Sequence, residues 1–307
     1  MNTDIQNNRN RFIISLFILF VILIVCIVCL VFSQSSTQAL SSETSLAPSN
    51  EATFNVEAAQ QKVQEGSERA EIELRQTREN TLKSVITNEL GEANSAWGVY
   101  VKGVDVDFEV NFGSHQMKSA SIIKPFIAAT YFTNRDILAA QGINVANGDN
   151  LVQKMISASD NSATNTLIDY CGGFDVINDY CANSGYVKTH LGRYMLASNA
   201  ADDNFTSVND CATLLSRIYA GEVPASESIL QAMFAQERRS KIPAGITDGS
   251  RVANKTGEIS GVENDIAIIE GTHKYVLCIM SDTGSSSSAV GEIVGLTRAI
   301  NQAVQAF

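Results

Sequence analysis

The spacing of apolar and polar positions changes several times along the 307-residue chain, and each change marks a predicted element. Residues 12–32 form an apolar run of 21 positions broken only by Ser15, long enough to cross a bilayer. The run exceeds the apolar region of a cleavable signal peptide, and Thr37-Gln38-Ala39 is a poor cleavage site, so an uncleaved anchor is expected. Residues 33–55 are rich in Ser and Thr, hold Pro48 and read as a flexible linker. Residues 56–80 are rich in Glu, Gln and Arg and read as a helical stalk, whose heptads are too incomplete for a coiled coil. The apolar stripe of Leu82, Val85, Ile86 and Leu90 marks the approach to a globular domain over residues 81–307.

Within that domain, residues 97–101 and 107–112 carry β-branched and aromatic residues and predict a hairpin. From 121 to about 171 the pattern is helical, with Pro125 in a first turn where its missing N–H costs little. Helices are again predicted over 210–219 and 229–234, strands over 264–270 and 275–282, and a final helix over 289–307. Strands at both ends with helices between them predict one sheet whose terminal strands meet, an inserted helical lobe, and a site between the two.

Charge and cysteine usage refine this picture. The formal net charge of −11 is spread without a basic block, which argues against nucleic acid as a partner. Arg9 and Arg11 precede the apolar run with no comparable cluster after it, so residues 1–11 are expected in the cytoplasm and the domain outside a single-pass cell-membrane anchor. Cys26 and Cys29 fall in the anchor; Cys171, Cys181, Cys211 and Cys278 fall in the domain. Four cysteines allow three pairings, with Cys171–Cys181 the simplest and four buried free thiols the alternative. None has the paired spacing of a zinc site, and neither metal nor cofactor is expected.

A serine hydrolase needs a base for the hydroxyl proton and donors for the oxyanion. His115, His190 and His273 lie beside no Gly-x-Ser-x-Gly elbow, so a Ser-His-Asp triad has little support. Lysine can replace histidine when burial or nearby cations lower its pKa. Ser121-Ile122-Ile123-Lys124 supplies such a pair on one face of a helix start. Alone, the spacing fits a helix cap and a surface lysine equally well. It is followed, however, by Ser159-Asp160-Asn161 and then Lys255-Thr256-Gly257, the ordered motif set of class A β-lactamases and penicillin-binding proteins.

With Asn165 and Asn264-Asp265 as supporting text, the chain over 81–307 resembles the class A β-lactamase-like serine hydrolases of the penicillin-recognising superfamily. The resemblance implies an α+β fold of β-lactamase/transpeptidase type, an antiparallel sheet flanked by helices plus a helical lobe. It implies that Ser121 is acylated, that Lys124 accepts its proton and that Ser159 relays a proton to the leaving nitrogen. It also implies that Asn161 binds the substrate amide, that Lys255, Thr256 and Gly257 line the carboxylate site, and that the N–H groups of Ser121 and Glu258 hold the oxyanion. The family's Ω-shaped loop corresponds to Arg193, Met195 and Asn199, with Asn199 toward substrate and Asp203 or Asn204 as the arginine's partner. Met195 stands where the family carries the glutamate that activates water, and a thioether is no base. The family's arginine beside the carboxylate site is also displaced, with Arg239 or Lys241 as substitutes.

The expected activity is therefore hydrolysis of β-lactams or related amides, with Asp202, Asp203, Glu258 or Lys124 activating water. The alternatives are a D-alanyl-D-alanine peptidase acting on cell-wall peptides, or a penicillin-binding sensor that stays acylated. A monomer is expected.

Overall fold

The computed structural model describes residues 56–92, 95–197 and 201–307. The predicted tail, anchor and linker, and Asn199 of the Ω-shaped loop, lie outside the described residues. No helix among the described residues is long and apolar enough to cross a membrane.

Helix α1 spans Val56–Leu90 without a break, so the stalk and the start of the domain are one element. Residues 60–76 are exposed and are laced by i to i+4 bonds such as Gln61 to Glu65 and Arg75 to Glu79. Docking starts earlier than residue 81: Glu79 accepts from the Glu109 N–H and Arg78 donates to the Asp107 carbonyl. Leu82 and Ile86 are then fully buried.

Five strands follow, β1 (Trp97–Gly103), β2 (Glu109–Phe112), β5 (Arg251–Ile259), β6 (Val262–Glu270) and β7 (Lys274–Asp282). They form one antiparallel sheet in the order β2-β1-β7-β6-β5, so the N- and C-terminal strands meet as predicted. Alternation along β7 separates two cores: Tyr275, Leu277 and Ile279 face α1 and the last helix, and Val276, Cys278 and Met280 face the helical lobe. Burial on both faces is why these strands read as continuous apolar runs. The Lys-Thr-Gly motif lies within β5.

The helical lobe holds α2 (Lys124–Ala140), α3 (Val145–Ser157), α4 (Asn161–Cys171), α5 (Phe174–Asn183), α6 (Val208–Tyr219) and α7 (Ser226–Phe234). A small sheet of β3 (Met117–Lys118) with β4 (Phe205–Thr206) leads into a 3₁₀ turn over Ala120–Ile123, ahead of α2. The one-turn helix α8 (Ile242–Gly245) precedes β5, and α9 (Ser286–Val304) closes the chain against the sheet.

Cys171, Cys181, Cys211 and Cys278 are free thiols buried as small apolar residues, so no Cys171–Cys181 bridge forms. Burial pushes the Cys171 and Cys181 thiols up to about 12. We expect Ile86→Ala, which empties a fully buried site on α1, to cost roughly 2–5 kcal/mol in urea unfolding. Val63→Ala on the exposed part of the same helix should stay within about 0.5 kcal/mol; equal losses would mean that the two halves are equally packed.

Candidate active site

Ser121 sits in the 3₁₀ turn, half-buried, at a cleft of about 220 Å³ also lined by Asn161, Met195, Asn204 and Glu258. The preceding Ala120 has φ of 45°, a left-handed conformation that costs a non-glycine residue energy and turns the chain sharply into α2. Two contacts hold this turn on the sheet. The Asn264 side-chain amide on β6 donates to the Lys118 and Ser119 carbonyls. On β5, a Cβ at Gly257 would lie 2.7 Å from the Ser119 carbonyl and 2.9 Å from the Ser121 nitrogen, so only glycine permits this approach of strand to turn.

Lys124 opens α2 and is fully buried. Its Nζ donates to the Ser159 carbonyl at 2.8 Å, to Ser159 Oγ at 3.1 Å and to Asn161 Oδ1 at 2.9 Å. Lys255, fully buried on β5, donates from Nζ to the same Ser159 Oγ at 2.9 Å and to the Thr256 carbonyl at 2.7 Å. Ser159 itself has φ of 58°, and Asp160 beside it caps α4 by accepting from the Ala163 N–H. The three motifs thus meet at one hydroxyl.

Burial is the main reason that the Lys124 ammonium falls to about 7, with the charge of Arg238 adding to it and Asp160 opposing it. Lys255 is pushed well below an ordinary ammonium by burial first and then by Lys124. At neutral pH, therefore, an amine able to accept a proton lies one turn from the Ser121 hydroxyl.

The loop after α5 carries Arg193 and Met195 of the expected Ω-shaped segment. Arg193 pairs with Asp203 at 2.6 Å, which settles the choice between Asp203 and Asn204 as its partner. Asn204 instead accepts from the Gly192 and Arg193 N–H groups. Met195 is buried against the cleft, its N–H donating to Asn165 Oδ1 and its carbonyl accepting from the Asn165 amide. The role of Asn165 was not visible from the motif text alone.

The acids expected to activate water are each engaged by a neighbouring side chain. Asp202 lies 2.6 Å from His190, and Asp203 is held by Arg193. Glu258 is paired with Lys241 at 3.1 Å and Arg238 at 2.9 Å; burial opposes its ionisation, but Lys241 and then Arg238 hold its carboxyl below the usual range. The expected arginine substitutes behave differently from expectation. Arg239 donates to the Val252 carbonyl, and Lys241 is buried between Glu258 and Glu263. Arg238 is the arginine that reaches the cleft-lining Glu258, a contact that the Arg238-Arg239 pair could not reveal from the sequence.

A sheet-and-helix sandwich with a serine, two buried lysines and a second serine at the junction defines an α+β fold of β-lactamase type. A family model described as the beta-lactamase enzyme family matches residues 144–304, just over half of the chain. The chain belongs to that family. No curated protein matches it. Among solved structures, PBP-A is similar with a TM-score of 0.64 at 23% identity, over 74% of this chain and 97% of that one. A leucine-to-glutamate mutant of PBP-A, in acyl-enzyme complex with penicillin G, gives 0.65 at 23% over 74% and 97%. A β-lactamase from Sphaerobacter thermophilus gives 0.63 at 21% over 74% and 98%. At these identities the likeness is one of fold.

Titration of the Lys124 side chain by NMR on carbon-13-labelled lysine is expected to give a midpoint near 7. Arg238→Gln removes a neighbouring cation and should raise that midpoint. An ordinary midpoint above 10 in the parent protein would show Lys124 to be solvated and unfit as a base.

Proposed function

We propose that the protein is a membrane-anchored, extracytoplasmic serine hydrolase of β-lactamase type, acylated at Ser121 by β-lactams or related amides, whose acyl-enzyme is long-lived. The observation that carries this reading is the convergence of Lys124 and Lys255 on Ser159 Oγ beside the Ser121 turn. Neutral Lys124 takes the Ser121 hydroxyl proton while Oγ bonds to the carbonyl carbon. The N–H groups of Ser121 and Glu258 hold the oxyanion, which the close approach at Gly257 brings together. As the carbon–nitrogen bond breaks, the proton passes from Lys124 through Ser159 to the leaving nitrogen, and Asn161 and Thr256 orient the substrate. The penicillin G acyl-enzyme of a PBP-A mutant supports β-lactams as acyl donors for this fold.

Release is the slow part, because Met195 supplies no base and the cleft-lining Glu258 carboxylate is engaged with Arg238 and Lys241. This favours a persistent acyl-enzyme, as in a cell-wall peptidase or a penicillin-binding sensor. A second reading, slow turnover with Lys124 activating water, is favoured by its ionisation near pH 7. Residues 12–32 supply the anchor, with Arg9 and Arg11 keeping residues 1–11 inside.

Incubation with benzylpenicillin should give one covalent adduct by intact-mass spectrometry, mapped to Ser121 and absent in Ser121→Ala. Wild-type protein without an adduct would remove the nucleophile assignment. Met195→Glu, which places a carboxylate at the cleft, is expected to shorten the adduct lifetime at least about tenfold. An unchanged lifetime would mean that position 195 does not face the acyl bond.

A further inference from the structure

Beside the nucleophile the cleft carries a feature that acylation does not require, a glutamate closed onto two cations. Glu258 and Thr256 are two positions apart on β5, so their side chains project from the same face of the strand, about 7 Å apart. Glu258 Oε2 accepts from Arg238 at 2.9 Å, and Glu258 Oε1 lies 3.1 Å from Lys241 Nζ. Lys241 is almost fully buried and also meets Glu263 Oε2 at 2.7 Å and the Asn264 carbonyl at 3.1 Å. It cannot swing out to meet a ligand without leaving the buried Glu263 carboxylate without its cation, a costly step. Lys255 is likewise engaged, with Ser159 and Thr256. An incoming carboxylate at Thr256 therefore meets a protein carboxylate already seated on the available positive charge.

The geometry points to Glu258 as a specificity-determining residue: its side chain fills the place of a substrate anion on Arg238 and Lys241. The site thereby favours acyl donors that are neutral or cationic beyond the scissile amide, such as an internal or amidated peptide, over those ending in a free carboxylate. This rests on acylation at Ser121, and it sharpens the substrate class of that reaction. The two cations and the two acids, Glu258 and Glu263, balance in charge, so an anion gains no net attraction from the group. Removing the charge of Glu258 alone leaves one positive charge in excess at the cleft.

The test compares benzylpenicillin with its methyl ester, which differ by one carboxylate, on the full chain and on Glu258→Gln. Second-order acylation rates from intact mass give the acid-to-ester ratio, and Kd values in a Ser121→Ala background give the same ratio without covalent chemistry. The expected result is a wild type that prefers the ester and a Glu258→Gln variant whose ratio shifts toward the acid about tenfold, the scale of one unit charge a few ångströms away at a partly solvated site. Arg238→Gln keeps Glu258, removes a cation and should move the ratio the other way, and it carries the test if Glu258→Gln does not fold. Its effect on Lys124 cancels in the ratio. A ratio that neither variant moves, or that moves in the opposite sense, overturns the assignment. If neither probe acylates Ser121 but the Kd ratio shifts as stated, the acylation reading fails and the charge preference of the cleft stands.

Discussion

Two buried lysine side chains held on one hydroxyl are the constraint around which this molecule is arranged. Lys124 and Lys255 are both fully buried and both donate to Ser159 Oγ. Like charges in a desolvated place repel, and burial penalises each of them, so the pair is a cost that the rest of the fold has to offset. The offset comes from rigid surroundings. Asp160 caps α4 directly after Ser159, Asn264 ties the Ser119 turn to β6, and Gly257 lets β5 close onto the Ser121 backbone. Backbone strain at Ala120 and Ser159 falls on the two residues next to or within this cluster.

For the proposed acylation, the same arrangement sets the balance between forming and releasing an acyl group. Formation needs a neutral amine near the serine, and burial creates it at Lys124. Release would need a second base facing the acyl bond, and the cleft offers a thioether at Met195 and the Glu258 carboxylate drawn to Arg238 and Lys241. These pairs lower the tendency of the Glu258 carboxylate to take a proton from water. Asp265, fully buried behind β5 and bonded to the Ile242 N–H and the Asn254 amide, goes the other way: burial raises it to about 6 despite Lys241. It supports the strand from behind and lies at no cleft surface.

Period and motif carried a good deal of this. The hairpin, the helices of the lobe and the meeting of terminal strands follow from apolar spacing that each segment shows by itself. Helix α5 (Phe174–Asn183) escaped prediction, because it buries only Ile177 and Cys181 among polar neighbours and starts after two glycines. The three motifs named Ser121, Lys124, Ser159, Asn161, Lys255 and Thr256, and their meeting matches the order of those triplets. The partner of Arg193 stayed open between two adjacent residues, and Arg238 was passed over for its neighbour.

What the sequence determined by itself is chemistry that is local: which residue types stand three apart on a helix start, where a strand must be buried on both faces, and that Met195 replaces a base. What only tertiary structure decided is which groups share a charge. Ser159 and Lys255 are 96 positions apart, and Glu258 finds Arg238 and Lys241 across a turn and a strand. Ion pairing depends on separations of a few ångströms and on burial, and neither is encoded by spacing along the chain.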